Sequence, residues 1–160
     1  QFPLGRLNGL FLTHFHSDHI DGLGPLMLLR WTQSSAREPL PVRAPAGVEA
    51  VIAGFNAAYA TDNGYRVAHH GAAVVPPSGA GARAVPFALP PEDGSPVVVL
   101  RDGDLTVSAF RVDHDPVSPA VGYRFDYKGR SIVISGDTAA SSAVSATSAS
   151  RSSAWPSASL

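Results

Sequence analysis

The segment Thr13-His14-Phe15-His16-Ser17-Asp18-His19 sets three imidazoles and a carboxylate side by side, directly after the apolar run Leu10-Phe11-Leu12. A run of that kind reads as a buried strand, and strand side chains repeat every two residues. His14 and His16 therefore point to the same side and can share one metal ion. Asp18 and His19 fall past the strand end, where the chain turns, within reach of a second ion nearby. Imidazole and carboxylate donors suit Zn2+, with Mn2+ or Fe2+ as alternatives. The competing reading is a polar loop of unrelated histidines, which so dense a spacing disfavours.

Two later segments belong with the first. Val112-Asp113-His114 is followed by Val121-Gly122-Tyr123-Arg124-Phe125, and Ser135-Gly136-Asp137-Thr138 comes after the apolar stretch Ile132-Val133-Ile134. In this order, the H-x-H-x-D-H cluster and these two segments resemble the metallo-β-lactamase superfamily, in particular its ribonuclease Z-like and arylsulfatase-like branch. The resemblance runs from about residue 7 to residue 138.

That resemblance implies an α+β fold, the αββα sandwich of the family, here partial: it lacks the N-terminal strands that precede the first motif and the C-terminal part beyond the last. By the same resemblance, His14, His16 and His114 hold one metal, and Asp18, His19 and Asp137 a second, with Asp137 bridging. Asp18 takes an additional catalytic role, orienting the bridging hydroxide or accepting its proton. Two zinc ions sharing a water would present a hydroxide nucleophile near neutral pH. The family's last histidine ligand has no counterpart, since no histidine comes after His114.

The expected domain spans residues 1–137. Residues 138–160 are mostly serine and alanine and carry neither strand nor helix periodicity. They are read as a disordered or out-of-frame tail, which translation of the other reading frames would test.

The chain has 160 residues, 44% of them hydrophobic, enough for one domain with a core. Its formal net charge of −1 offers no basic field for nucleic acid. With no cysteine, disulfides and thiolate-bound metals are excluded. No apolar stretch is long enough to span a membrane, and the first residues do not read as a signal peptide. The compartment is cytoplasmic by default, or periplasmic if a leader precedes the chain. The short stretch between His114 and Asp137 holds no protruding arm of the kind that grips transfer RNA. The expectation is therefore a hydrolase of small-molecule anionic esters, aryl sulfates or phosphodiesters, with nucleic acid an unlikely partner and incomplete sheet edges open to oligomer formation. The alternatives are an inactive metal-binding fragment, or a tRNA 3′-processing endonuclease in the full-length parent.

Periodicity predicts a strand over Leu7–Thr13 and a helix over Asp21–Trp31 with the stripe Leu23, Leu26, Met27 and Trp31. It predicts an extended piece over Pro39–Pro45 and a second helix over Gly47–Ala60, ending before Thr61-Asp62-Asn63-Gly64. Residues 71–96 read mostly as loop with brief extended segments. Val97–Leu100, Leu105–Val112, Ala120–Tyr127 and Ser131–Ser135 read as strands, with hairpin turns at Asp102-Gly103 and Lys128-Gly129. His69-His70 reads as a surface pair rather than a further metal site. Arg124 reads as a salt-bridged strand residue rather than an anion-binding one.

Overall fold

The apolar runs and turn signals resolve, in a computed structural model of the chain, into two sheets and, between residues 3 and 139, three α-helices. The structure describes residues 3–139 and Thr147. Apart from Thr138, Ala139 and Thr147, the serine- and alanine-rich tail lies outside the described residues. The chain divides into two compact units, Gln1–Ala88 and Leu89–Leu160.

In the first unit, β1 (Leu10–Phe11), β2 (Leu40–Pro45) and β3 (Ala82–Phe87) form a parallel sheet in that order. Parallel neighbours require crossover connections, and helices supply them: α1 (Ser17–Ile20) and α2 (Leu23–Ser34) before β2, and α3 (Val48–His70) before β3. The stripe of α2 behaves as its spacing predicts. Leu23 and Met27 join Leu12, Leu40, Val42, Ala44, Val48, Ile52 and Ala82 in one apolar cluster, and Trp31 is buried with its indole N–H donating to the Pro76 carbonyl at 2.7 Å. Arg30, on the same helix, is also buried and donates to the Leu7 and Glu38 carbonyls, both at 2.9 Å. It ties the segments on either side of α2 to the helix.

Three elements differ from expectation. β1 stops at Phe11, so the histidines lie beyond the strand rather than on it. Helix α3 runs through Thr61-Asp62-Asn63-Gly64 to His70. One interior glycine costs a helix only about 1 kcal/mol. Asp62 offsets part of this by pairing with Arg66 one turn on, Nε to Oδ2 at 2.7 Å, the acid-before-base order that favours helix. The helix ends at Gly71, whose φ of +83° suits glycine. Within the predicted loop, Ala82–Phe87 pairs with all six residues of β2; Pro86 is tolerated because β3 ends the described sheet, where a missing N–H costs no ladder bond.

In the second unit, β4 (Val97–Asp102), β5 (Leu105–Arg111), β6 (Val121–Tyr127) and β7 (Arg130–Ile134) form an antiparallel meander. Here sequence and structure agree within a residue or two. Lys128 and Gly129 both have positive φ, 47° and 75°, the backbone of the tight turn that matches strand twist. Phe110, Val112 and Ala120 are buried, with Val133 packed against them. Arg124 makes charge-assisted hydrogen bonds to Asp126 at 2.8–2.9 Å, which hold the Asp126 carboxyl below the usual carboxylate range; this is the salt-bridged role its strand position predicts.

Gly122 is the tightest point of this sheet. A Cβ there would lie 2.5 Å from Phe110 Cζ and 3.0 Å from the Ile134 carbonyl oxygen. Gly122→Ala is expected to destabilise the fold by about 1–3 kcal/mol through overpacking, read as a lowered urea midpoint with unchanged slope. A midpoint equal to wild type would show that the Phe110 ring moves aside freely.

Candidate metal centre

Beyond β1 the chain runs as a short irregular stretch whose direction is set by Phe15. This ring packs against the apolar cluster of the first unit and lies over Gly47, where a Cβ would approach to 3.1 Å. Anchoring the middle residue of His14-Phe15-His16 inward leaves the two flanking imidazoles on a common side. His14 Nε2 and His16 Nδ1 stand 3.1 Å apart. Strand periodicity predicts this convergence; it comes instead from a loop pinned by one aromatic side chain.

Chain direction then changes at His16, which precedes the first turn of α1. Asp18 and His19 lie on that turn, with His19 Nε2 3.5 Å from Asp18 Oδ2. The His19 ring leans over His14 at 4.1 Å between centroids, tilted by 47°. His14 is fully buried and its Nδ1 lies 3.1 Å from Thr13 Oγ1. A hydroxyl on the far nitrogen fixes ring orientation, as partners of ligating imidazoles do. Nothing in the sequence singles out Thr13 and Phe15 for these tasks, though both sit inside the motif.

The donor set fits a metal. In a tetrahedral site with Zn–N bonds of about 2.0–2.1 Å, two ligand nitrogens are separated by roughly 3.3 Å. The 3.1 Å separation of His14 Nε2 and His16 Nδ1 is close to that edge.

In the second unit, His114 and Asp137 emerge beyond the ends of β5 and β7. These two strands run the same way on either side of β6, so their ends lie at one end of the sheet. His114 opens a turn in which Val117 N–H donates to the His114 carbonyl at 2.7 Å. It lines a recess of about 510 Å³ with Arg111, Asp113, Asp115 and Glu92 among its walls. Arg111 is committed within this unit, donating to the Pro90 carbonyl at 3.0 Å and to Glu92 at 3.1 Å. Asp113 is held within its own loop and by the segment after β7. Its Oδ1 accepts from the Asp115 amide at 3.3 Å, while its backbone carbonyl receives Thr138 and Ala139.

His69 and His70 sit on the exposed last turn of α3, their rings 4.5 Å apart, as a surface pair. Asp62 and Arg66 bind each other. Among the described residues, no helix is long and apolar enough to cross a membrane.

Comparison with known proteins places these motifs. The sequence profile of the beta-lactamase superfamily domain matches residues 3–150. A ribonuclease Z of Mycolicibacterium gilvum is 34% identical over 135 residues, covering 83% of this chain and 44% of that protein. A ribonuclease Z of Mycobacterium avium is 37% identical over 134 residues, covering 82% and 44%. The crystal structure of human tRNase Z, short form, superposes with a TM-score of 0.58 at 24% identity, over 86% of this chain and 51% of that one. This last likeness concerns the fold alone. The chain thus spans under half the length of the curated relatives it matches.

These relatives correct one expectation. A small-molecule anionic ester as partner, with nucleic acid unlikely, is contradicted by relatives named as ribonucleases. The inference from a net charge of −1 fails for a physical reason: the charge of a chain spanning 44% of such a relative does not measure the surface the whole relative offers to RNA. The same names favour the tRNA 3′-processing alternative over aryl sulfates or small-molecule phosphodiesters. With a family profile over most of its length, relatives above 30% identity and the two-sheet fold, the chain belongs to the metallo-β-lactamase superfamily, a family of hydrolases that generally bind divalent metals.

Proposed function

We propose that this chain carries the metal-ligating part of an RNA phosphodiester hydrolase of the tRNA 3′-processing kind. The observation that carries the reading is the imidazole convergence at His14 and His16 in a chain whose relatives are named ribonuclease Z. His14 and His16 with His114 would hold one divalent cation, zinc by donor type, and Asp18, His19 and Asp137 a second. When bound, such ions supply Lewis-acid polarisation of a phosphoryl oxygen and acidify a water to near neutrality.

The protein's own groups have distinct tasks in this reading. Buried His14 fixes the position of the centre, and Thr13 fixes the ring of His14. His16, exposed, faces the solvent side from which substrate arrives. Asp18 presents an exposed carboxylate on the first turn of α1 beside His19. In this reading it would take a proton from the attacking water, a general-base role worth about 10²–10⁴-fold in rate.

The test is cleavage of a transfer-RNA precursor with a 3′ trailer by the purified chain with added Zn2+ or Mn2+. A single endonucleolytic product that disappears in Asp18→Ala is expected. A chain that holds metal but leaves the precursor intact, while hydrolysing an aryl sulfate or a simple diester, would overturn the RNA reading.

A further inference from the structure

Within the antiparallel sheet, β5 and β7 are separated by β6. Two strand spacings amount to about 9.5 Å, so residues leaving the ends of β5 and β7 do not meet unless the segments beyond the strands are drawn together. The structure contains a device that does this. After β7 the chain turns at Gly136, with φ +64°, a left-handed conformation that side chains beyond glycine rarely adopt. The turn lays Asp137-Thr138-Ala139 across the segment beyond β5. There the Ala139 amide donates to the Asp113 carbonyl at 2.8 Å. The Thr138 hydroxyl lies 3.0 Å from that same carbonyl and 2.8 Å from the Ala139 carbonyl.

Asp113 immediately precedes His114, and Asp137 immediately precedes Thr138. One carbonyl oxygen thus receives donors from the residues just after the carboxylate and holds them beside the imidazole's own backbone. The hydroxyl's single proton is shared between two acceptors, and the Asp113 carbonyl has a lone pair for each donor. The clip involves only residues of this unit.

We infer that Thr138 is a positioning residue, whose hydroxyl, with the Ala139 amide, sets the spacing of His114 and Asp137 as metal ligands. The inference rests on the metal-site reading proposed above and extends it to a residue that touches neither ion nor substrate. Partners that orient ligands typically contribute 10–100-fold in metal affinity. Preorganising the two donors removes ordering that binding would otherwise have to supply.

The experiment compares zinc binding to wild type, Thr138→Val and Thr138→Ser by competition with a chromophoric chelator. It adds the Co2+ absorption spectrum of each and hydrogen exchange of the Ala139 amide in the metal-free chain. Valine keeps the branched shape and removes the donor; serine keeps the donor. Thr138→Val is expected to bind zinc 10–100-fold more weakly, with an altered Co2+ band, faster exchange at Ala139 and an unchanged melting temperature without metal. Thr138→Ser is expected to restore affinity and spectrum. Wild-type affinity in Thr138→Val, or a loss that serine does not rescue, overturns the positioning role while leaving the metal site standing. A wild-type chain that takes up no zinc overturns both.

Discussion

Replacing His16 with alanine is expected to abolish tight zinc binding while leaving the metal-free fold intact. The side chain is exposed, so truncating it removes nothing from the core, and surface changes of this kind usually fall within about 0.5 kcal/mol. Its Nδ1, however, faces His14 Nε2 at 3.1 Å. Deleting one of two converging donors costs at least the roughly 100-fold that marks the upper end for outer partners. Zinc titration and thermal melting of the metal-free chain, measured together, give the answer. His14→Ala should behave differently. That ring is fully buried beside Thr13, so its loss lowers both metal affinity and stability. Equal zinc affinity in His16→Ala and wild type would mean that the 3.1 Å contact is an imidazole–imidazole hydrogen bond and nothing more.

Trp31→Ala is expected to be the most damaging single change in the first unit. The indole is buried and donates to the Pro76 carbonyl at 2.7 Å. Truncation leaves a cavity, worth about 3–5 kcal/mol, and strands a carbonyl, at about 1–3 kcal/mol more. Against a typical total of about 5–15 kcal/mol, this approaches global unfolding. Trp31→Phe goes far towards separating the two contributions, since it keeps much of the volume while removing the N–H. It should lose about 1–3 kcal/mol in urea denaturation. A phenylalanine variant as unstable as the alanine one would assign the whole effect to the hydrogen bond.

Much of the second unit is legible in the chain because antiparallel meanders are written locally. The hairpin strands are bounded by their own turns, where Gly103 and Gly129 carry the positive φ in their residue type. The parallel sheet of the first unit is not written that way. Ala82–Phe87 has no hairpin partner beside it; its pairing to β2 lies across the whole of α3. Nor does the turn-like stretch Thr61-Asp62-Asn63-Gly64 end α3, which runs through it to His70 with Asp62 paired to Arg66.

By itself, the amino-acid sequence determined the chemistry: three imidazoles and a carboxylate at fixed spacing, the later histidine and aspartate, and the superfamily they belong to. Donor types and their order are covalent facts. Tertiary structure alone decided how these side chains are brought together within each unit. Phe15, held in the core over Gly47, turns His14 and His16 to one side, and the Asp113 carbonyl binds the segment that carries Asp137 to the one that carries His114. Both devices depend on contacts between residues far apart in the chain, where no periodicity reaches.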